Sequence, residues 1–276
     1  MKLLFAVLVV LLSGCVARVS ENALVKGRPG ERIDPAVSQS GSWKIDPVSI
    51  QLESDVSLSG ARFSKPNSIA TVLYFGGNAF VLSKSNESVL SIYKEQPVDL
   101  VMLDYRGYGG STGIASLDAI LADGVLIYDY VRAMPSTADK PLVVHSQSLG
   151  SFVAGNVASQ RTLSALVLES SATTAEDWVQ GFVDSSIWIR KGIVQSTLKG
   201  KGNASAMASF DEPLLIVVGK DDTTTRPVMS EALFKQASVP ASWKELLIVS
   251  GAGHNDEEKG VDFNSAFSRL LDRAQK

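Results

Sequence analysis

The stretch Leu142-Val143-Val144-His145-Ser146-Gln147-Ser148-Leu149-Gly150 constrains this chain more than any other. Its apolar start reads as the end of a buried strand. A sharp turn follows, and then a helix from about Leu149 to Gln160. Ser148 falls on the turn. A strand and a helix that meet so tightly pass close together, so small residues are needed on both flanks; Ser146 and Gly150 supply them. The arrangement matches a nucleophile elbow, in which a strained strand-to-helix turn holds a hydroxyl out at the top of a sheet. The full pattern is Gly-x-Ser-x-Gly, and here it reads Ser-x-Ser-x-Gly.

A serine hydroxyl is a weak nucleophile until a base takes its proton. The base is usually a histidine held in its productive tautomer by a carboxylate. The chain has 2 histidines. His145 lies on the strand feeding the turn, points to the wrong side and is assigned a structural role. His254 lies in Ser250-Gly251-Ala252-Gly253-His254-Asn255, after the apolar run Leu246-Leu247-Ile248-Val249. That places it on a glycine-rich loop at a strand end, where a general base belongs. Between the two comes another apolar run, Pro213 to Val218, which leads into Gly219-Lys220-Asp221-Asp222. The order is therefore Ser, Asp, His, each after a strand. It differs from the orders in chymotrypsin and subtilisin.

In this order and at these separations, four blocks make the chain resemble a serine hydrolase of the α/β-hydrolase superfamily. They are Tyr74-Phe75-Gly76-Gly77-Asn78-Ala79, Asp104-Tyr105-Arg106-Gly107-Tyr108-Gly109-Gly110-Ser111, Ser146-Gln147-Ser148-Leu149-Gly150 and Gly251-Ala252-Gly253-His254-Asn255-Asp256. The chain is similar to the branch that holds the eukaryotic α/β-hydrolase-domain depalmitoylases and their bacterial relatives. The resemblance implies a doubly wound, mostly parallel eight-stranded α/β sheet with a small helical cap. It also implies Ser148 as nucleophile, His254 as base and an aspartate as the orienting acid. Counting three residues from Gly219 selects Asp222 over the adjacent Asp221. Pro227 follows Asp222 by one residue more than the family spacing, which leaves the register open by one. The loop after the strand Ile69 to Phe75 is where this fold takes one oxyanion donor. The backbone N–H of Asn78 is the candidate there, and that of Leu149 is the second.

The loop from Asp104 to Ser111 is glycine-rich, but Thr112 stands where a dinucleotide fingerprint needs glycine or alanine. Asp104 and Arg106 are assigned to bracing the active-site border. Neither histidine stands at a short ligand spacing from Asp221 and Asp222, so no metal site and no cofactor is expected. A net charge of −3 without a basic stripe argues against nucleic acid as a partner.

Residues 1–15 read as a targeting segment. Lys2 is followed by the apolar run Leu3 to Leu12, too short to span a hydrocarbon core that needs roughly 20 residues. Leu12-Ser13-Gly14-Cys15 resembles the cleavage site of a bacterial lipoprotein, and Cys15 is the sole cysteine in the chain. Acylation at Cys15 is the expectation, with an address at the bacterial cell envelope. Val16 after the cysteine favours the periplasmic side of the outer membrane. Residues 16–46 are mixed and polar without a sustained period and read as a tether, part of which could instead lie along the domain surface. Residues 47–276 read as one domain of about 230 residues. Within it, residues 173–209 break the strand–helix alternation and bring Trp178, Phe182 and Trp188, which places the cap there. These aromatics either form a lid that lines an apolar acyl pocket or pack the cap onto the core, and the second is expected for most of them.

The function implied is hydrolysis of an ester or thioester through an acyl-enzyme. The substrate would be a small ester, an acyl lipid or an acylated protein, met by an enzyme anchored to a membrane through lipid. An amidase or peptidase differs only in leaving group. The reading from another class is a non-catalytic envelope lipoprotein that keeps the fold as a binding or scaffolding module.

Overall fold

The computed structural model describes residues 16–34, 43–184, 186, 188–189, 191–256 and 261–275. Cys15 and the apolar run before it lie outside this set.

The chain opens with β1 (Val16–Val19), a single turn α1 (Glu21–Leu24) and β2 (Arg28–Pro29). Next come the edge pair β3 (Lys44–Gln51) and β4 (Ser57–Ser64), then β5 (Ala70–Phe75), α2 (Leu82–Ile92), β6 (Val98–Leu103), β7 (Tyr108–Gly109) and α3 (Leu117–Ala133). The middle holds β8 (Leu142–Gln147), α4 (Leu149–Ala158), β9 (Ala165–Glu169), α5 (Ala175–Asp184), β10 (Lys191–Val194) and α6 (Ala204–Met207). The chain ends with β11 (Leu214–Gly219), α7 (Pro227–Gln236), β12 (Lys244–Val249) and α8 (Val261–Ala274).

Eight strands form one sheet in the order β12-β11-β9-β8-β5-β6-β4-β3. β3 with β4 and β4 with β6 pair antiparallel, and the other five pairings are parallel. Every residue of β5, β6 and β11 is buried. Strands covered by helices on both faces have no polar side to alternate with, so they read as nearly continuous apolar runs, interrupted here by Thr71 in β5 and Asp99 in β6. One face is filled by side chains of α3, α4 and α7, including Leu117, Phe152 and Leu233. The other is filled from α2 and α8, including Leu82, Val89 and Phe267.

The strand order reverses beside β5. The chain steps from β5 to β6 on one side, then returns to place β8 on the other. Loops leaving β5 and β8 therefore diverge and leave a crevice at their carboxyl ends, the usual binding position of open α/β sheets. Gly76 to Asn78 follow β5 and Ser148 follows β8.

Two features depart from a bare sheet-and-helix domain. Residues 173–209 hold α5, β10 and α6, a mixed insertion rather than a purely helical one. Residues 16–34, read above as tether, lie along the domain: β1 pairs in parallel with β10 and β2 with β7. Of the two readings left open for this segment, the described part takes the second.

Candidate active site

Ser148 sits at φ 54° and ψ −116°, a conformation that only a turn held from both sides keeps. Such a residue stores about 1–3 kcal/mol of backbone strain. Its N–H donates to the Glu169 carbonyl at 3.0 Å, and its carbonyl accepts from Ser151 N–H at 2.9 Å. The small flanks are used as the sequence suggests. A Cβ on Gly150 would stand 2.0 Å from the Phe75 carbonyl oxygen, so that flank has no room for a side chain. Ser146 fits where the pattern has glycine: it is fully buried, and its hydroxyl donates to the Val167 carbonyl at 3.1 Å.

His254 Nε2 lies 3.0 Å from Ser148 Oγ, and His254 Nδ1 lies 2.9 Å from Asp222 Oδ2. Asp222 is buried, whereas Asp221 is exposed and its backbone N–H donates to the Ala252 carbonyl at 2.9 Å. The extra residue before Pro227 is taken up by a local turn. Asp222 Oδ1 accepts from the N–H groups of Thr224 at 2.7 Å and Thr225 at 2.9 Å. Its other oxygen accepts from Thr225 Oγ1 at 2.7 Å and Ser170 Oγ at 3.1 Å.

Burial alone would raise the Asp222 carboxyl. The hydrogen bond and charge of His254, with the Thr225 bonds, outweigh it and hold the group below the usual carboxylate range. A depressed carboxyl adds stability that is fully present above its unfolded pKa, about 3.9. That contribution is lost as pH falls through the lower folded value.

Several supporting groups carry no individual signal in the sequence. Gln147 Nε2 donates to the His254 carbonyl at 3.2 Å and to Asn255 Oδ1 at 2.9 Å, which ties the elbow to the histidine loop. Ser170, at φ 48°, also reaches the His254 carbonyl at 3.3 Å. Such contacts join elements far apart in the chain, so no local pattern announces them.

The loop after β5 is pinned by two buried tyrosines. Tyr105 Oη donates to the Gly76 carbonyl at 2.8 Å, and Tyr108 Oη donates to Asn78 Oδ1 at 2.9 Å. Burial raises both phenols, so both stay protonated donors through neutral pH. Asp104 and Arg106 brace the loop that carries them. Asp104 accepts from the Leu82 N–H at 2.7 Å and the Gly110 N–H at 3.0 Å. Burial raises its carboxyl, and these two bonds offset part of the rise. Arg106 Nε donates to Asp123 Oδ2 at 2.6 Å. Asn78 and Leu149 both line the cleft, and neither backbone N–H donates to another described residue.

The cleft above Ser148 has a volume of about 420 Å³. Ala23, Leu24, Phe80, Phe152, Ala172 and Trp178 give it apolar walls. From the cap, Trp178 reaches the cleft and stacks edge-on against Phe182 at 5.2 Å. Trp178 packs against the core as expected and Phe182, half-exposed, rests on that ring, whereas Trp188 is largely exposed and does not pack there. His145 takes no part in the Ser148 chain. It is fully buried, with Nε2 at 2.9 Å from Glu169 Oε2 and Nδ1 against the Tyr93 hydroxyl.

This architecture is the α/β-hydrolase fold. The chain superposes on the esterase Pf2001 of Pyrococcus furiosus with a TM-score of 0.70 and 17% identity, over 90% of this chain and 98% of that one. No family model matches the chain. Among relatives, it is 29% identical over 187 residues to the uncharacterized protein Rv2307c of Mycobacterium tuberculosis. It is 26% identical over 193 residues to the α/β hydrolase domain-containing protein 17B of Xenopus tropicalis. The matches take in 68% and 70% of this chain, and the chain spans 63% of the length of each relative.

Proposed function

We propose that the protein is a serine hydrolase that cleaves carboxylic esters or thioesters through an acyl-enzyme. One observation carries this reading: the unbroken chain from Ser148 Oγ through both nitrogens of His254 to Asp222, with the serine on a strained turn at the floor of a cleft. A binding module has no physical use for that geometry. The fold shared with solved esterases is consistent with it.

In this mechanism Ser148 Oγ attacks the substrate carbonyl while His254 Nε2 takes its proton. Asp222 holds Nδ1–H, and so keeps Nε2 free to accept, and stabilises the imidazolium that forms. The N–H groups of Asn78 and Leu149 receive the oxyanion; each such donor is typically worth about 2.7–4 kcal/mol in the transition state. His254 then returns the proton to the leaving alkoxide or thiolate. Water enters and repeats the sequence in reverse order, freeing the acid. The apolar cleft walls suit a hydrocarbon acyl group, in keeping with the likeness to the depalmitoylase branch.

The test is intact mass after exposure of the full chain to a fluorophosphonate. One adduct per chain is expected in the wild type and none in Ser148→Ala. A folded wild type that takes up no probe would sink the hydrolase reading and bring forward the binding or scaffolding module.

The same proposal places the protein at the bacterial cell envelope, anchored by acyl chains on Cys15. The motif Leu12-Ser13-Gly14-Cys15 supports this. Stable anchoring needs more than one acyl chain. Cells fed an alkyne fatty acid should yield labelled wild type and unlabelled Cys15→Ser; equal labelling of the two would refute acylation at that residue.

A further inference from the structure

Residues 16–29 form a strap whose middle lines the cleft through Ala23 and Leu24. At one end β1 pairs with β10 of the insertion, from Val16 opposite Lys191 to Val19 opposite Val194. At the other end β2 pairs with β7 in the loop that carries Tyr105 and Tyr108. Between them α1 is fixed by Glu21, whose N–H donates to Gln195 Oε1 at 2.9 Å and whose carboxylate accepts from Leu117 N–H at 2.5 Å. The turn of α1 puts Leu24, a buried side chain, into the wall of the cleft. Beyond it the strap grips one residue of the oxyanion loop. Lys26 N–H donates to Asn78 Oδ1 at 3.3 Å and to Tyr108 Oη at 3.1 Å, and Arg28 Nε donates to the Asn78 carbonyl at 3.0 Å.

These contacts fall on the two things a hydrolase must control, the depth of the acyl site and the direction of an oxyanion donor. A wall residue sets depth by volume, because a hydrocarbon chain gains or loses contact one methylene at a time. A donor works only where its N–H meets the developing oxyanion, and a small displacement removes most of the benefit. The Asn78 N–H has its direction set by the atoms around it, and the strap reaches both the side-chain and backbone oxygens of that residue.

We propose that this strap is a working part of the active site: Leu24 is a specificity-determining residue that closes the acyl cleft, and Arg28 is a positioning residue that acts through Asn78. This rests on the hydrolase reading above. The strap contributes no reacting atom. It gives the cleft its end and the oxyanion loop its third support, after Tyr105 and Tyr108. Leu24 and Arg28 therefore control separable quantities, chain-length preference and turnover.

The experiment uses the full chain, with butyryl, octanoyl and dodecanoyl p-nitrophenyl esters and the fluorophosphonate in parallel. In Leu24→Ala the ratio of kcat/KM for dodecanoyl over butyryl ester is expected to rise about tenfold, the scale of a methylene or more in an apolar pocket. In Arg28→Gln kcat is expected to fall about tenfold for all three esters with KM unchanged, because the acyl site is intact. Arg28→Lys, which keeps the charge and a donor, is expected to recover part of the loss. Thermal melts report folding. An equal loss on every ester in Leu24→Ala, or an unchanged kcat in Arg28→Gln, would overturn the proposal and leave the strap as packing alone. A wild type that neither labels nor turns over these esters would instead overturn the hydrolase reading, and this proposal with it.

Discussion

Asp222→Asn is expected to lower turnover of an activated ester by roughly 10⁴-fold. The change is close to isosteric, and Asn keeps the carbonyl oxygen that can receive the N–H groups of Thr224 and Thr225. What it loses is the charge facing His254 Nδ1, 2.9 Å away. An amide there can turn its NH₂ toward the ring and stabilise the tautomer that carries the proton on Nε2. That nitrogen then has no lone pair for the proton of Ser148, 3.0 Å away. A factor of 10⁴ corresponds to about 5.5 kcal/mol of transition-state stabilisation. Asp221→Asn should leave the rate unchanged, because that side chain is exposed and lies outside the chain of contacts. Steady-state kcat for the two variants, with a melt to show that both are folded, decides the matter. Loss in Asp221→Asn with an unaffected Asp222→Asn would move the acid by one residue.

The second large effect concerns stability. His145→Ala is expected to destabilise the fold by about 3–5 kcal/mol, the usual range for removing one partner of a buried polar pair. His145 stands between Glu169 at the end of β9 and Tyr93 after α2, with all three side chains buried. Its ring meets Tyr74 edge-on at 5.1 Å and stacks on Phe263 at 5.9 Å. Alanine leaves a cavity among these rings and takes from the Glu169 carboxylate its imidazole partner. Burial first, and then the Glu169 charge, hold the Tyr93 phenol well above its ordinary pKa, so it remains a neutral hydroxyl. Urea unfolding would read the loss. The double variant His145→Ala/Glu169→Gln should lose less than the sum of the singles, because it no longer buries a charge without that partner. Strict additivity would show that the pair is not coupled.

The fold was legible where burial dictates composition. The run from Ile69 to Phe75 is almost all of one strand because both faces of β5 are covered, and only its first residue falls outside. At the sheet edge the opposite holds: Val48 to Gln51 of β3 alternate between covered and exposed because one side meets water. Residues 16–34 could not be read. Their partners lie far along the chain, as with Val16 and Lys191, and a strand of two to four residues has no period to detect. The elbow was visible because a strained turn restricts residue types at fixed spacing. Thr225, Gln147 and the two tyrosine hydroxyls were not, because their roles depend on which loops the sheet order brings together at the switch point. The choice between adjacent aspartates rested on counting alone. The geometry that separates them is a side-chain turn, which absorbs the residue that disturbed the count.

The pairing that begins at Val16 bears on how such an enzyme would meet its substrate. Acyl chains on Cys15 would leave a single peptide link, about 3.8 Å between successive Cα atoms, before the chain is committed to the domain. The domain could not swing freely above the lipid. For a substrate that shares the bilayer, the quantity that saturates the cleft would be substrate per unit area rather than per unit volume. Dilution into fresh buffer would leave the rate unchanged, whereas dilution of the substrate with inert lipid would lower it.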